Sequence, residues 1–371
     1  MPADDVLSRH VLREDHVMVP TRLRYTCELL KAYDAFSIQG SQLAAPRMAA
    51  EEEVLSFHTK DYVAAVRALS QGYSTYNPSN YGFSEAGDNP VFPGMWEASL
   101  WSTGASIVAA ELVGSGAAQA ACNLSGGLHH AMPGHASGFC IFNDPAIAIL
   151  HLLRKGLRVA YVDIDAHHGD GVQHAFYDTD QVLTISLHES GEFLFPGTGF
   201  VHETGSGKGK GYSVNIPFYP FTTDEVYLWA FQEIVPPLIR AFNPDVLVTQ
   251  LGMDTHFNDP ITHMKLTVQG HNQVVRELGG LCPRWVALGG GGHDIPAVIR
   301  GWTLDYGTML GLEWPDEVPA SYQEQYGLKL LRDPEPPDVE PGVHQETWRY
   351  ARERVAELKA LVFPLHGLPT Q

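Results

Sequence analysis

Five short apolar runs, each ending in glycine or a polar cluster, constrain the fold of this chain more than any other feature. They occupy 117–124, 159–162, 182–187, 246–251 and 285–288. Between them, apolar spacing predicts helices near 91–113, 143–155, 224–241, 268–280 and 294–310, with a last helix near 344–361. Strands that alternate with helices pair in parallel, because each return to the sheet needs a long crossover, and the crossovers cover both faces. The expected fold is therefore α/β, a three-layer sandwich around a parallel sheet. In such sheets a site forms beyond the carboxyl ends of the strands. Those ends here read Ser125-Gly-Gly, Asp163-Ile-Asp-Ala-His-His-Gly-Asp170, His188-Glu-Ser-Gly, Gly252-Met-Asp254 and Gly289 to Gly292. All the reactive clusters fall there.

No repeat, low-complexity linker or shift in composition marks a boundary, so the 371 residues read as one domain, 1–371. The glycine-rich 197–211 reads as a surface loop, and the Pro- and acid-rich 333–341 as a loop before the last helix. A formal net charge of −19 argues against a nucleic-acid surface, since phosphate contacts need Lys and Arg. It suits a cationic or neutral substrate, or simply solubility. No apolar stretch would span a bilayer and no basic start leads into an apolar run, so a cytoplasmic protein without membrane partners is expected. Cys27, Cys122, Cys140 and Cys282 are scattered, which predicts reduced thiols rather than a metal finger.

The run at 163–170 carries the chemistry. A strand end alternates its side chains, so Asp163, Asp165 and His167 point to one side. Asp165 and His167, joined by Asp254 from a separate strand end, make three protein ligands for zinc and leave an open position, the catalytic rather than the structural arrangement. Two carboxylates neutralise the ion, so it polarises water less than one held by three imidazoles, and a strong base is needed nearby. The adjacent His129 and His130 supply an acid-base pair, one to take a proton and the other to protonate a leaving amine. Asp163 and Asp170 are the surplus acids that can orient them. Phe139 is placed on a pocket wall, with the Gly138 backbone exposed to substrate.

These motifs, GGLHHA at 126–131, SGFCIFND at 137–144, VDIDAHHGDGV at 162–172, FPGTG at 195–199, QLGMDT at 250–255 and LGGGG at 288–292, resemble the histone deacetylase, acetoin-utilisation and acetylpolyamine amidohydrolase superfamily. The resemblance runs over about 22–311, leaving a C-terminal loop and helix at 312–371. It implies the arginase-like sandwich around a mainly parallel eight-stranded sheet, and a zinc-dependent deacetylase or deacylase acting on an acylated lysine, peptide or small acylated amine. Zinc at Asp165, His167 and Asp254 is implied again, with His129, His130, Asp163 and Asp170 as the proton-transfer set. Phe139 and Phe195 become tunnel walls, with Gly138, Ile261 and Gly291 beside the substrate. Asp88 becomes the rim acid and Arg22 the base of an internal cavity. One or two structural potassium ions are implied, the first at Asp163, Asp165, His167, Ser186 and Leu187, the second at Phe176, Thr179, Val182 and Tyr212. The stretch before the first motif lacks the long loop of dimeric polyamine-specific members, which favours a monomer.

One position departs from the pattern. Hydrolytic members carry a tyrosine after the four glycines, whose hydroxyl donates to the substrate carbonyl as it becomes anionic; this chain has His293. Class IIa histone deacetylases carry the same change and hydrolyse acetyl-lysine poorly. Losing a comparable donor costs on the order of 10²–10³ in turnover. Two readings follow: an amidohydrolase tuned to a larger, more electrophilic or non-lysine acyl substrate with His293 or a bridging water assisting, or a catalytically weak acyl-lysine binder. A dinuclear manganese ureohydrolase is rejected, because it needs a carboxylate two residues before Asp254 and position 252 is glycine.

Overall fold

The structure, a computed structural model, describes residues 7, 11–13, 15–73 and 75–370. Six parallel strands form the sheet among these residues: β1 Ala120–Asn123, β2 Val159–Asp163, β3 Val182–Glu189, β4 Ser213–Phe218, β5 Val246–Gln250 and β6 Trp285–Leu288. Their spatial order is β1-β6-β5-β2-β3-β4. The chain runs outward from β2 to β4, then returns through β5 and β6 to fill the gap beside β1. That reversal is a topological switch point, where α/β sheets open a crevice.

All five apolar runs became strands. The missing one was β4, an alternating Ser-Val-Asn-Ile-Pro-Phe segment with Pro217 inside it. Proline cannot donate to a ladder and is tolerated on edge strands, which is where β4 lies. The sheet thus has six strands among the described residues rather than the eight expected.

Strand alternation builds the three layers. On β2, Ala160 and Val162 join one apolar cluster, while Val159 and Tyr161 join another on the opposite face. The helices that matter are α1 Thr21–Ala32, α2 Lys60–Ser70, α3 Met95–Gly114, α4 Asp144–Leu153, α5 Asp170–Phe176, α6 Asp224–Phe242, α7 Val268–Gly279, α8 Ile295–Met309 and α9 Pro341–Val362. The first cluster packs α6, α7 and α9 against the sheet, and the second packs α3, α4 and α5. Each fully buried Val, Leu or Ile contributes ~1.5–3 kcal/mol of burial, so neither face can be uncovered cheaply. The predicted helices agree with these to within a few residues.

The 197–211 segment is not a simple surface loop. Val201, Thr204 and Gly209 are buried, and Glu203 Oε1 accepts the Gly199 and Phe200 N–H groups (3.0 and 3.1 Å). Among the described residues, no helix is long and apolar enough to cross a membrane.

Candidate active site

Four adjacent strands, β1, β6, β5 and β2, aim their carboxyl-end loops at one crevice. Register explains the convergence: Asp163 on β2 lies beside Gln250 on β5, and Gln250 beside Leu288 on β6. Asp254, the glycine run and His293 therefore arrive next to the 163–170 run, and the loop after β1 brings the histidine pair.

Asp165, His167 and Asp254 are buried, and their ligand atoms all lie within 4.8 Å of one another. His167 Nδ1 sits 3.0 Å from Asp165 Oδ1 and 3.1 Å from Asp254 Oδ2. Burial and the neighbouring Asp165 carboxylate push the Asp254 carboxyl up, the mark of surplus negative charge in one place. Two glycines make the cradle: a Cβ at Gly291 would lie 2.1 Å from Asp254 Oδ2, and one at Gly252 would lie 2.2 Å from Asp165 Oδ2. Asp165 already fills the space that a side chain at 252 would need. Buried carboxylates with one imidazole in an enclosed cradle fit a borderline divalent cation such as zinc.

The two carboxylates are held from behind. Gln250 Nε2 donates to Asp165 Oδ2 (2.6 Å), as does the Gly291 N–H (2.8 Å), and the Ala166 N–H donates to Asp254 Oδ1 (2.7 Å). Sequence reasoning passed over Gln250, although its place at the end of β5 puts it beside the ligands.

His129 and His130 lie with their Nε2 atoms 3.0 Å apart. His129 Nδ1 donates to Asp163 Oδ2 (2.7 Å) and His130 Nδ1 to Asp170 Oδ1 (2.8 Å), so each expected acid stands behind one imidazole. Tyr161, two residues back on the same face of β2, donates to the same Asp163 oxygen (2.6 Å). Burial opposes charge on His129, but Asp163, Asp165 and Asp170 outweigh it and raise the ring to about 9. Burial, reinforced by His129, pushes His130 down.

The loop bearing this pair is clamped by residues whose role was not read from sequence. Asp144 accepts the Gly127 and Leu128 N–H groups (3.1 and 2.9 Å), and Asn143 Nδ2 donates to the His129 and Ala131 carbonyls (both 3.0 Å). Asn143 also caps α4 through the Ala146 N–H. His168 is structural: its Nδ1 meets Thr198 Oγ1 at 2.8 Å and its Nε2 meets Gln173 Oε1 at 3.1 Å.

A cavity of about 450 Å³ opens above the cluster, lined among others by both histidines, Gly138, Phe139, Phe195, Ile261, Gly291, His293 and Asp88. Phe195 is 43% exposed and packs edge-on to His130 (5.1 Å), whereas Phe139 packs edge-on to His293 (5.8 Å). Gly138 has φ +49°, and a Cβ there would stand 2.4 Å from the His130 ring. His16, unremarked in the sequence, joins the mouth together: its ring stands edge-on to Phe139 (4.6 Å) and its Nε2 donates to the Asp88 carbonyl (3.3 Å). Arg22 is buried below, donating to the Gly292 carbonyl (3.0 Å) and covering the Trp302 ring; burial lowers it only to about 10.

Ser186 and Leu187 lie on β3 beside Asp163, with Ser186 Oγ 2.8 Å from His188 Nδ1. Phe176, Thr179, Val182 and Tyr212 sit at the opposite end of the strands, where the Tyr212 carbonyl accepts the Thr184 N–H (2.9 Å).

Fold and site together describe a parallel α/β protein with a buried Asp-His-Asp cluster beneath a paired-histidine cavity. The histone deacetylase domain matches residues 16–308. Acetoin utilization protein AcuC of Bacillus subtilis (strain 168) is 42% identical over 321 residues, covering 84% of this chain and 82% of that protein. Human histone deacetylase 1 is 38% identical over 326 residues, covering 87% of this chain and 67% of that protein. Among solved structures, an HDAC homolog from Aquifex aeolicus superposes with a TM-score of 0.82 at 33% identity, covering 92% of this chain and 95% of that one. The chain belongs to the histone deacetylase family.

Proposed function

We propose that this protein is a zinc-dependent deacylase, releasing an acyl group from a lysine side chain or a related amine. The observation that carries the reading is the pairing of two histidines with two separate carboxylates above a three-ligand cluster. A protein that only bound its ligand would have no use for two imidazoles driven apart in proton affinity. Zinc held by Asp165, His167 and Asp254 supplies Lewis-acid polarisation at the scissile amide.

The chain's own residues do the rest. His129, backed by Asp163, and His130, backed by Asp170, exchange protons with the reacting atoms through Nε2. Phe139 and Phe195 hold the acyl-lysine stem between rings, and Gly138 lets it pass close to His130. Asp88 at the rim is placed to accept from the substrate backbone, while Ile261 and Gly291 line the acyl end. His293 takes the place of a hydroxyl donor to the substrate carbonyl. Potassium at two positions belongs to the same reading, the first beside the loop that carries Asp165 and His167 and the second at the opposite end of β3.

The reading is tested with a panel of acetyl-, trifluoroacetyl- and longer acyl-lysines and acetylpolyamines, run alongside metal analysis. Strong hydrolysis of one natural acyl group with one zinc per chain supports it. A second reading, a weak acyl-lysine binder, is favoured by one observation, His293 itself; turnover of trifluoroacetyl-lysine alone would select it.

A further inference from the structure

We infer that Asp259 is a positioning residue, fixing the orientation and tautomer of His293 so that Nε2 is the atom the substrate meets. The inference rests on the reading that His293 stands at the substrate carbonyl. Asp259 is buried, 7% exposed. Its Oδ2 accepts the His293 backbone N–H (2.8 Å) and lies 3.1 Å from His293 Nδ1, and its Oδ1 accepts the Ile261 N–H (3.1 Å). A carboxylate only accepts, so Nδ1 carries the hydrogen of this contact. Pinned there, the ring leaves Nε2 on its far edge.

That atom is buried without a partner among the described residues. An unpartnered buried polar atom costs about 1–3 kcal/mol, so a fold keeps one where something else completes it. His293 lines the substrate cavity, and its ring stands against the tunnel wall Phe139. With Nδ1–H held by Asp259, Nε2 accepts from a donor while the ring is neutral and donates to an entering carbonyl only as the imidazolium.

The construction repeats. His129 with Asp163, His130 with Asp170 and His293 with Asp259 each set a carboxylate at Nδ1. In the first two pairs the far nitrogen is the working one. One carboxylate also fixes two positions on the cavity wall here, because Ile261 hangs from the same group as His293. Residue spacing gave no hint of it: Asp259 lies in an irregular loop, 34 residues from its partner.

The test is a double-mutant cycle on the zinc-loaded protein with its best acyl-lysine substrate. Asp259→Asn keeps the shape and removes the charge. With His293 in place, kcat is expected to fall about tenfold or more while KM moves less than about twofold. In the His293→Tyr background the same substitution should change kcat less than about twofold, because the residue it positions is gone. Equal losses in both backgrounds would overturn the inference and make Asp259 a loop staple. Imidazole ¹⁵N shifts in the metal-free protein give a readout independent of turnover. The Nδ1–H form of His293 is expected in the parent and lost in Asp259→Ala, which leaves no side-chain acceptor at Nδ1; an unchanged tautomer would also overturn the inference. Should no acyl-lysine be hydrolysed by any variant, the deacylase reading fails, and the shifts still decide whether Asp259 sets the ring.

Discussion

His130 separates the tunnel from Asp170, with Phe195 against one edge of its ring and His129 Nε2 at 3.0 Å. Replacing it removes a proton-transfer group without touching a metal ligand. His130→Ala is expected to abolish nearly all hydrolysis while zinc content stays at one per chain; retained turnover would remove His130 from the reaction. The opposite sign is expected at His293. His293→Tyr restores a hydroxyl donor, and turnover of acetyl-lysine should rise about tenfold or more, as the loss of such a donor costs 10²–10³ elsewhere. No gain with zinc bound would place the misfit in the pocket's shape. The Asp165, His167 and Asp254 cluster and the histidine pair were legible as candidates because reactive residues gather at predicted strand ends, although β2 stops at Asp163 and strand alternation does not carry Asp165 and His167. Asp259, His16 and Asn143 were not. They act through loop geometry, which has no period, and their partners are 34, 72 and 14 residues away.

At the scale of elements, the sheet delivers loops and the loops deliver atoms. Five strands announced themselves as apolar runs, four of them (β2, β3, β5 and β6) buried along their whole length and β1 half-buried at the other edge; β4 did not, since Pro217 and its alternating polar residues disguise it. The loop of 137–144 depends on one residue without a side chain. Gly138 holds φ +49°, and a Cβ would stand 2.4 Å from the His130 ring and 3.0 Å from Phe195. Gly138→Ala should therefore displace His130, lowering kcat by about 10–100-fold, the range of losses when a supporting contact is removed. Zinc stoichiometry and the far-ultraviolet dichroism should not change. Full activity in that variant would mean that the loop can retreat from His130 at no cost.

The whole molecule is held by polar anchors at some distance from the site, and these set its response to acid. Asp333 ties the segment after α8 to the body: it accepts from Arg300 Nη1 (2.6 Å) and the Val268 N–H (2.7 Å), and lies 3.1 Å from His256 Nε2. Burial would raise this carboxyl, but His256, Val268 and Arg300 outweigh it and lower it to about 2. Its stabilisation is present above the ordinary 3.8 and is lost as pH falls toward 2. His58 acts earlier. Burial pushes it from 6.5 to about 3, so the unfolded chain takes up a proton that the folded chain refuses. Stability then falls with pH below 6.5, by up to about 1.4 kcal/mol per pH unit for this one group. Urea unfolding at pH 7 and pH 5 should show the loss, and His58→Gln, which can still donate to Met132 and accept from Asn143, should make the slope shallower. An unchanged slope would clear His58 of the effect. Hydrolysis itself is decided by turnover of the acyl-lysine panel with protein of known zinc content. One zinc per chain and efficient release of at least one natural acyl group, abolished in His130→Ala, are expected. Stoichiometric zinc with tight binding of acyl-lysine peptides but no turnover of any natural acyl group would contradict the deacylase reading.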